Sequence, residues 1–238
     1  MEGALAKIRP HTSSSLAHQK IPADLLRALE ATFRERNTEC TPTAYFAALL
    51  TTLEATLRAN DTNLGEGDKL PAELYLLATI IQFVPQPIIR TNLKTLLSLT
   101  GPLFPSLLDR APPLRSQLTI YHTILPSLDR TQLDVQGVRQ TFASILQLCL
   151  DPRPKVRRKA AEVIRDVLAT PPTPLVRHPY AQQVAEWLQA ALSEANSGVL
   201  TRPKSNTKGS ETSAADTAIH ILAFLRPVLA NLPAHVSH

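Results

Sequence analysis

Prolines outnumber glycines twenty to seven in this chain of 238 residues. That imbalance limits what the chain can form. Proline fixes φ and lacks an N–H, so it starts or stops a helix. Many prolines with few glycines therefore suit many short helices, each punctuated by proline. The side chains agree. Hydrophobic residues make up 44% and aromatics only 5%, and the apolar content is mostly Leu, Ala, Ile and Val. That is the filling of packed helices and not of β-sandwiches. No window alternates for long with β-branched residues, so strand patterns are absent. The expected fold is all-α, with about ten helices.

Apolar periodicity places those helices. Leu25, Leu26, Leu29 and Phe33 recur on one face of a helix over 21–37. Thr41 or Thr43 can cap the next, which runs to about residue 58. A turn-rich loop at 61–69 leads to a nearly all-apolar helix at 71–84, expected to be buried on several sides. Further helices are expected at 87–99, 113–128, 135–150, 154–169, 180–195 and 214–232. Residues 1–19 read as a polar N-terminal arm, and 20–238 as one helical array. Within it, about 197–213 is polar, basic and poor in large apolar residues, the composition of a disordered loop. The last helix is apolar on more than one face, so it is expected to pack against a further repeat or a partner.

Charge is uneven. The formal net charge is +5, and residues 151–208 hold ten Lys/Arg against five Asp/Glu. Within this segment lies Asp151-Pro-Arg-Pro-Lys-Val-Arg-Arg-Lys-Ala160. Pro154 suits the first helical position, and Val156, Ala160, Val163, Ile164 and Val167 make one apolar face. Arg153, Lys155, Arg157, Arg158 and Lys159 crowd the helix N-terminus. The helix dipole is positive there, and acidic residues would be the stabilising ones. Arg158 or Lys159 can pair with Glu162. A single glutamate does not balance the cluster, so Arg153, Lys155, Arg158 and Lys159 are candidates for contact with an acidic partner. Only Tyr180 and Trp187 are aromatic in 151–208, and neither is interleaved with the basic run. If RNA is the partner, phosphate contact is expected, not base stacking.

The string Asp151-x4-Val156-Arg157-x2-Ala160-x3-Ile164 resembles the second helix of a HEAT repeat. The longer string from Leu148 to Ala160, running on to Ala169-Thr-Pro-Pro172, is similar to the N-terminal region of the ribosomal RNA processing protein 12 family. So are Leu5-Ala-Lys-Ile-Arg9 and Leu16-Ala-His-Gln-Lys20. The resemblance implies an α-solenoid of degenerate HEAT-like helix pairs, elongated and curved. Asp151, Val156, Arg157, Ala160 and Ile164 would be structural repeat positions, with Arg157 pairing to loop carboxylates. It further implies a non-catalytic scaffold in small-subunit ribosome assembly, pre-rRNA processing and nuclear export. Implied partners are the pre-ribosomal particle, assembly-factor proteins and ribosomal RNA phosphates. The implied location is the nucleolus and nucleus, with shuttling to the cytoplasm. Family members continue through many further repeats, so the chain is expected to be the N-terminal part of a longer solenoid. The competing reading is a HEAT-repeat transport receptor or adaptor that binds proteins only.

Other chemistries find little footing. Cys40 and Cys149, both read in helices, form no metal spacing and are expected as small buried hydrophobes. The histidines form no ligand pattern. Asp129 and Asp134 flank a turn and look like caps. There is no Gly-rich phosphate loop, no Gly-x-Ser-x-Gly elbow and no His-Glu-x-x-His. Hence no cofactor, metal, small-molecule substrate or membrane partner is expected, and no apolar run approaches a membrane span.

Overall fold

The structure, a computed structural model, describes residues 1–197 and 214–233. Every regular element among them is helical. The chain divides into two units, Met1–Ser127 and Leu128–His238.

The first unit opens with α1 (Glu2–Leu5) and a 3-10 turn, Arg9–Ser13. The expected polar arm is in fact packed, because Leu5 and Ile8 are buried. Arg9 fixes it, donating through Nε to Glu30 at 2.9 Å and pairing with Glu2. Then comes α2 (Ala17–Glu35), which begins ahead of the apolar pattern and carries Pro22 inside it. The helix α3 (Pro42–Arg58) is capped by Thr41, whose Oγ1 accepts from the Ala44 N–H at 3.2 Å. The apolar α4 (Lys69–Ile81) packs against α2, α3 and α8 (Ala111–Ile124). Leu70, Leu74, Leu76, Leu77, Ile80 and Ile81 are all fully buried along it.

The helix expected at 87–99 is two, α5 (Gln86–Thr91) and α6 (Leu93–Thr100). Asn92 leaves the helical region at ψ 8°, and its Nδ2 donates to the Ile88 carbonyl at 2.9 Å. That side-chain bond competes with the helix ladder, as asparagine often does. After α7 (Phe104–Leu107), α8 starts with prolines in its first turn, where no N–H is needed. A 3-10 turn, Leu125–Ser127, closes the unit, and Arg90 donates to the Ser127 carbonyl.

Several polar groups find partners inside this core. The Thr100 and Tyr121 hydroxyls meet at 2.9 Å, and Gln117 Nε2 donates to the Thr100 carbonyl at 2.6 Å. Glu73 is 1% exposed and accepts from the Thr56 hydroxyl at 2.8 Å. Its second oxygen has no hydrogen-bond partner, and burial pushes its carboxyl up from the ordinary range. Cys40 departs from expectation. It sits in the loop before α3 and is exposed. Cys149 is buried as expected, and burial raises its thiol.

The second unit begins with α9 (Arg130–Leu133). Asp129 and Gln132 cap it reciprocally, at 2.9 and 3.2 Å. Then come α10 (Gln136–Gln147), a 3-10 turn Leu148–Leu150, α11 (Pro154–Ala169), α12 (Ala181–Ser197) and α13 (Ala214–Val228). The segment before α12 is anchored by Tyr180. Its ring lies 4.3 Å from that of Phe142, and its hydroxyl donates to the Leu133 carbonyl at 2.5 Å. The buried His178 accepts from the Tyr180 N–H at 3.2 Å, and burial lowers its imidazole to about 4. In α13, Ile221, Phe224 and Val228 are buried, while Ile219 and Leu222 are exposed. Residues 198–213, most of the loop expected as disordered, lie outside the described residues; Ser197 ends α12.

Candidate binding interface

The basic stretch forms the first turns of α11 and the loop before it. The loop exists because Pro152 and Pro154 bracket Arg153, which is held extended at ψ 113° as the N-cap. From Pro154 on, the helix buries Val156, Ala160, Val163, Ile164 and Val167, each fully inaccessible. That stripe fixes which way every cation points.

The five cations do three different things. Arg153 is bound to Asp151: its Nε and Nη2 reach the two carboxylate oxygens at 2.9 Å each. Its backbone N–H donates to the same carboxylate at 2.9 Å. Asp151, 8% exposed, therefore holds an anion at the positive end of the helix. It offsets the charge arrangement that looked uncompensated in the sequence. Arg157 donates to the Asp151 and Pro152 backbone carbonyls at 2.7 and 3.3 Å. It secures the loop through carbonyls and not through the loop carboxylates that the resemblance implied; the carboxylate of Asp151 belongs to Arg153. Lys159, half-buried, pairs with Glu162 at 3.1 Å. Lys155 and Arg158 are exposed and make no hydrogen bond or ion pair among the described residues.

So the four candidate contact residues separate into two pairs. Arg153 and Lys159 hold intramolecular partners, whereas Lys155 and Arg158 point to solvent from a helix pinned at its start by Arg153 and Arg157. The sequence reading missed the Arg153–Asp151 pair. Its signal was an Asx-type spacing, an aspartate two residues before the residue whose N–H it accepts. No aromatic stacking platform stands open beside the run, since Tyr180 is buried and Trp187 half-buried. Asp129 caps as expected, and Asp134 pairs with Arg139 at 2.6 Å. Among the described residues no helix is long and apolar enough to cross a membrane.

Helices with buried stripes, a proline-bracketed loop and a basic helix start are features that a helical-repeat protein combines. Residues 8–238 match the family described as RRP12-like, N-terminal HEAT repeats. The chain belongs to that family, and its fold is an α-solenoid of HEAT-like helix pairs. Among its relatives, "Ribosomal RNA-processing protein 12" of Saccharomyces cerevisiae is 27% identical over 203 residues, 81% of this chain and 16% of that protein. "RRP12-like protein" of Gallus gallus is 28% identical over 228 residues, 94% of this chain and 16% of that protein. The Homo sapiens protein of the same name is 27% identical over 227 residues, again covering 16% of that protein. The chain thus spans about a sixth of the length of these relatives. No solved structure matches it at a significant level.

Proposed function

We propose that this chain is a non-catalytic binding section of a ribosome-assembly scaffold. It would act in ribosomal RNA processing and small-subunit precursor assembly, in the nucleolus and nucleus, with export as a further role. Two lines support the reading: family membership, with relatives named for ribosomal RNA processing, and the start of α11. The observation that carries it is the exposed, unpartnered pair Lys155 and Arg158 on a rigidly pinned helix. Cations spaced along a helix face meet a phosphate backbone without reading sequence, and the missing aromatic platform fits that mode. Arg153 and Lys159 contribute to the positive field while bound to their own carboxylates.

The test is binding of the full chain to a pre-ribosomal RNA fragment as salt is raised. Replacing Lys155 and Arg158 by Gln should weaken binding and flatten its salt dependence by about two phosphate contacts. Undiminished RNA binding by the double variant would move the interface elsewhere. No RNA binding by wild type, with retention on acidic proteins, would favour the protein-only adaptor.

A further inference from the structure

The first unit holds a second, unrelated feature: an open groove of about 910 Å³ over the outer face of α4. Its floor is made by α4 itself. Ala72 and Ala78 are small and leave the helix surface low, while Tyr75 stands up from it, 45% exposed. One wall is the stripe Pro112, Ser116 and Thr119 of α8, spaced as one helix face. The other is His18, Gln19 and Pro22 of α2, with Lys7 and Ile8 of the N-terminal segment closing that side. The walls stand because α4 packs between α2 and α8.

The charge on the rim is one-sided. Lys7, Arg110 and Arg115 line the groove, and none has an ion-pair partner among the described residues. Elsewhere in this unit several cations are paired, Arg9 with Glu30, Arg27 with Asp24, Arg58 with Glu54 and Lys69 with Glu73, while Arg34, Arg36 and Lys94 stand singly on the surface; in the groove three unpaired cations line one cleft. The groove's one carboxylate, Glu66, lies 3.8 Å from His18. The Nε of Arg115 is buried with no hydrogen-bond acceptor, a state that costs free energy unless another group supplies one.

We propose that this groove docks a short acidic, apolar-anchored segment of another protein. Its apolar side chains would lie over Ala72 and against Tyr75 and Pro112, and its carboxylates would face Lys7, Arg110 and Arg115. A floor of alanine and proline with a single tyrosine suits a peptide. Bases stacked in such a groove would need successive ring faces, and its lining offers Tyr75 with His11 and His18 on separate elements, whereas its low apolar floor receives aliphatic side chains. The proposal does not depend on the role of Lys155 and Arg158.

The test uses the full chain and fluorescence anisotropy with a labelled twelve-residue peptide alternating glutamate with leucine and phenylalanine. Two control peptides replace the glutamates by lysine or the apolar residues by serine, and a labelled uridine 12-mer is run beside them. The first variant is Arg110→Glu with Lys7→Glu. Both sites are exposed, and an acid at the start of α8 favours its dipole, so folding is expected to hold. We expect at least fivefold weaker binding of the acidic peptide by this variant and by Tyr75→Ala, and at least tenfold weaker binding of both control peptides to wild type. Lys155→Gln with Arg158→Gln should leave peptide binding unchanged. The proposal is overturned if the groove variants bind the peptide as wild type does, if the α11 variant abolishes binding, or if the groove variants lose the uridine oligomer and keep the peptide.

Discussion

The two units hold their polar groups in different ways. In Met1–Ser127 the decisive contacts join residues far apart in the chain. Arg9 reaches Glu30, Tyr45 donates to the same carboxylate at 2.9 Å, Thr56 reaches Glu73, and Gln117 reaches Thr100. In Leu128–His238 most are local. Arg153 and Arg157 grip Asp151 and Pro152, Lys159 grips Glu162, Arg139 grips Asp134, and Asp129 caps its own helix. Tyr180 to Leu133 is a long-range exception. Local contacts order one loop. Long-range contacts join elements, so their loss should be felt over more of the structure.

The largest expected effect tests that difference directly. Glu30→Ala removes the acceptor of both Arg9 and the nearly inaccessible Tyr45 hydroxyl. Leaving a buried donor unpaired, with Arg9 reduced to its contact with Glu2, should cost about 1–3 kcal/mol. Urea denaturation would measure it. Hydrogen exchange at Leu5 and Ile8 should rise well beyond the loss of global stability, because the N-terminal segment is tied down through Arg9. Unchanged protection there would show that apolar packing alone holds the segment.

Next comes acid. His178 is buried, and its imidazole is held near 4, below the ordinary value of 6.5. The unfolded chain therefore binds a proton that the folded chain resists. Stability from this group is full above about pH 6.5 and is lost as pH falls toward 4. The loss should reach roughly 2 kcal/mol by pH 5. Comparing wild type with His178→Gln in thermal melts at pH 7 and pH 5 isolates it. An equal drop in both proteins would assign the acid sensitivity to other groups.

Within the second unit, Arg157 and the pair Lys155 and Arg158 should separate cleanly. Arg157→Gln loses bonds to two loop carbonyls and should cost about 1 kcal/mol. Lys155→Gln with Arg158→Gln should stay within about 0.5 kcal/mol and lean toward stabilisation, since it removes charge that opposes the helix dipole. Denaturant midpoints would decide. A double variant less stable than Arg157→Gln would mean that the two roles are assigned the wrong way round.

What could be read in advance follows the same division. The bounds of α11, its buried face, the Thr41 and Asp129 caps and the exposed apolar side of α13 all rest on residues within a few positions of one another. Periodicity and capping chemistry express those directly. The packed N-terminus, the break at Asn92 and the groove over α4 rest on Arg9 meeting Glu30, on one side-chain bond to a carbonyl, and on small alanines brought between two other helices. No window of sequence contains the first and last of those encounters, and the Asn92 bond to Ile88, only four residues long, leaves no mark on apolar periodicity. Even in the basic run, where the cations are plain in the sequence, the pairing of Arg153 with Asp151 is not. Asp151 lies outside the helix, and only the bend made by Pro152 brings its carboxylate round to Arg153.

A further small effect opposes the acid response of His178. Glu73 is buried in the first unit, one oxygen lacks a partner, and its carboxyl is raised by burial. An acid with a raised folded value is protonated more readily in the folded chain than in the unfolded one. Its ionised form therefore costs stability at neutral pH, and that cost is relieved as pH falls through the raised value. Glu73→Gln keeps an acceptor for the Thr56 hydroxyl and gives up only the 3.4 Å contact with Lys69. At pH 7 the variant should lie within about 1 kcal/mol of wild type, on the stabilised side. At pH 5 its advantage should shrink, while that of His178→Gln grows. Melts of both variants at the two pH values would show whether the signs oppose. If Glu73→Gln is clearly destabilising at pH 7, the local Lys69 contact outweighs the burial of the charge, and this residue holds the first unit by a near contact as well as by its long-range bond to Thr56.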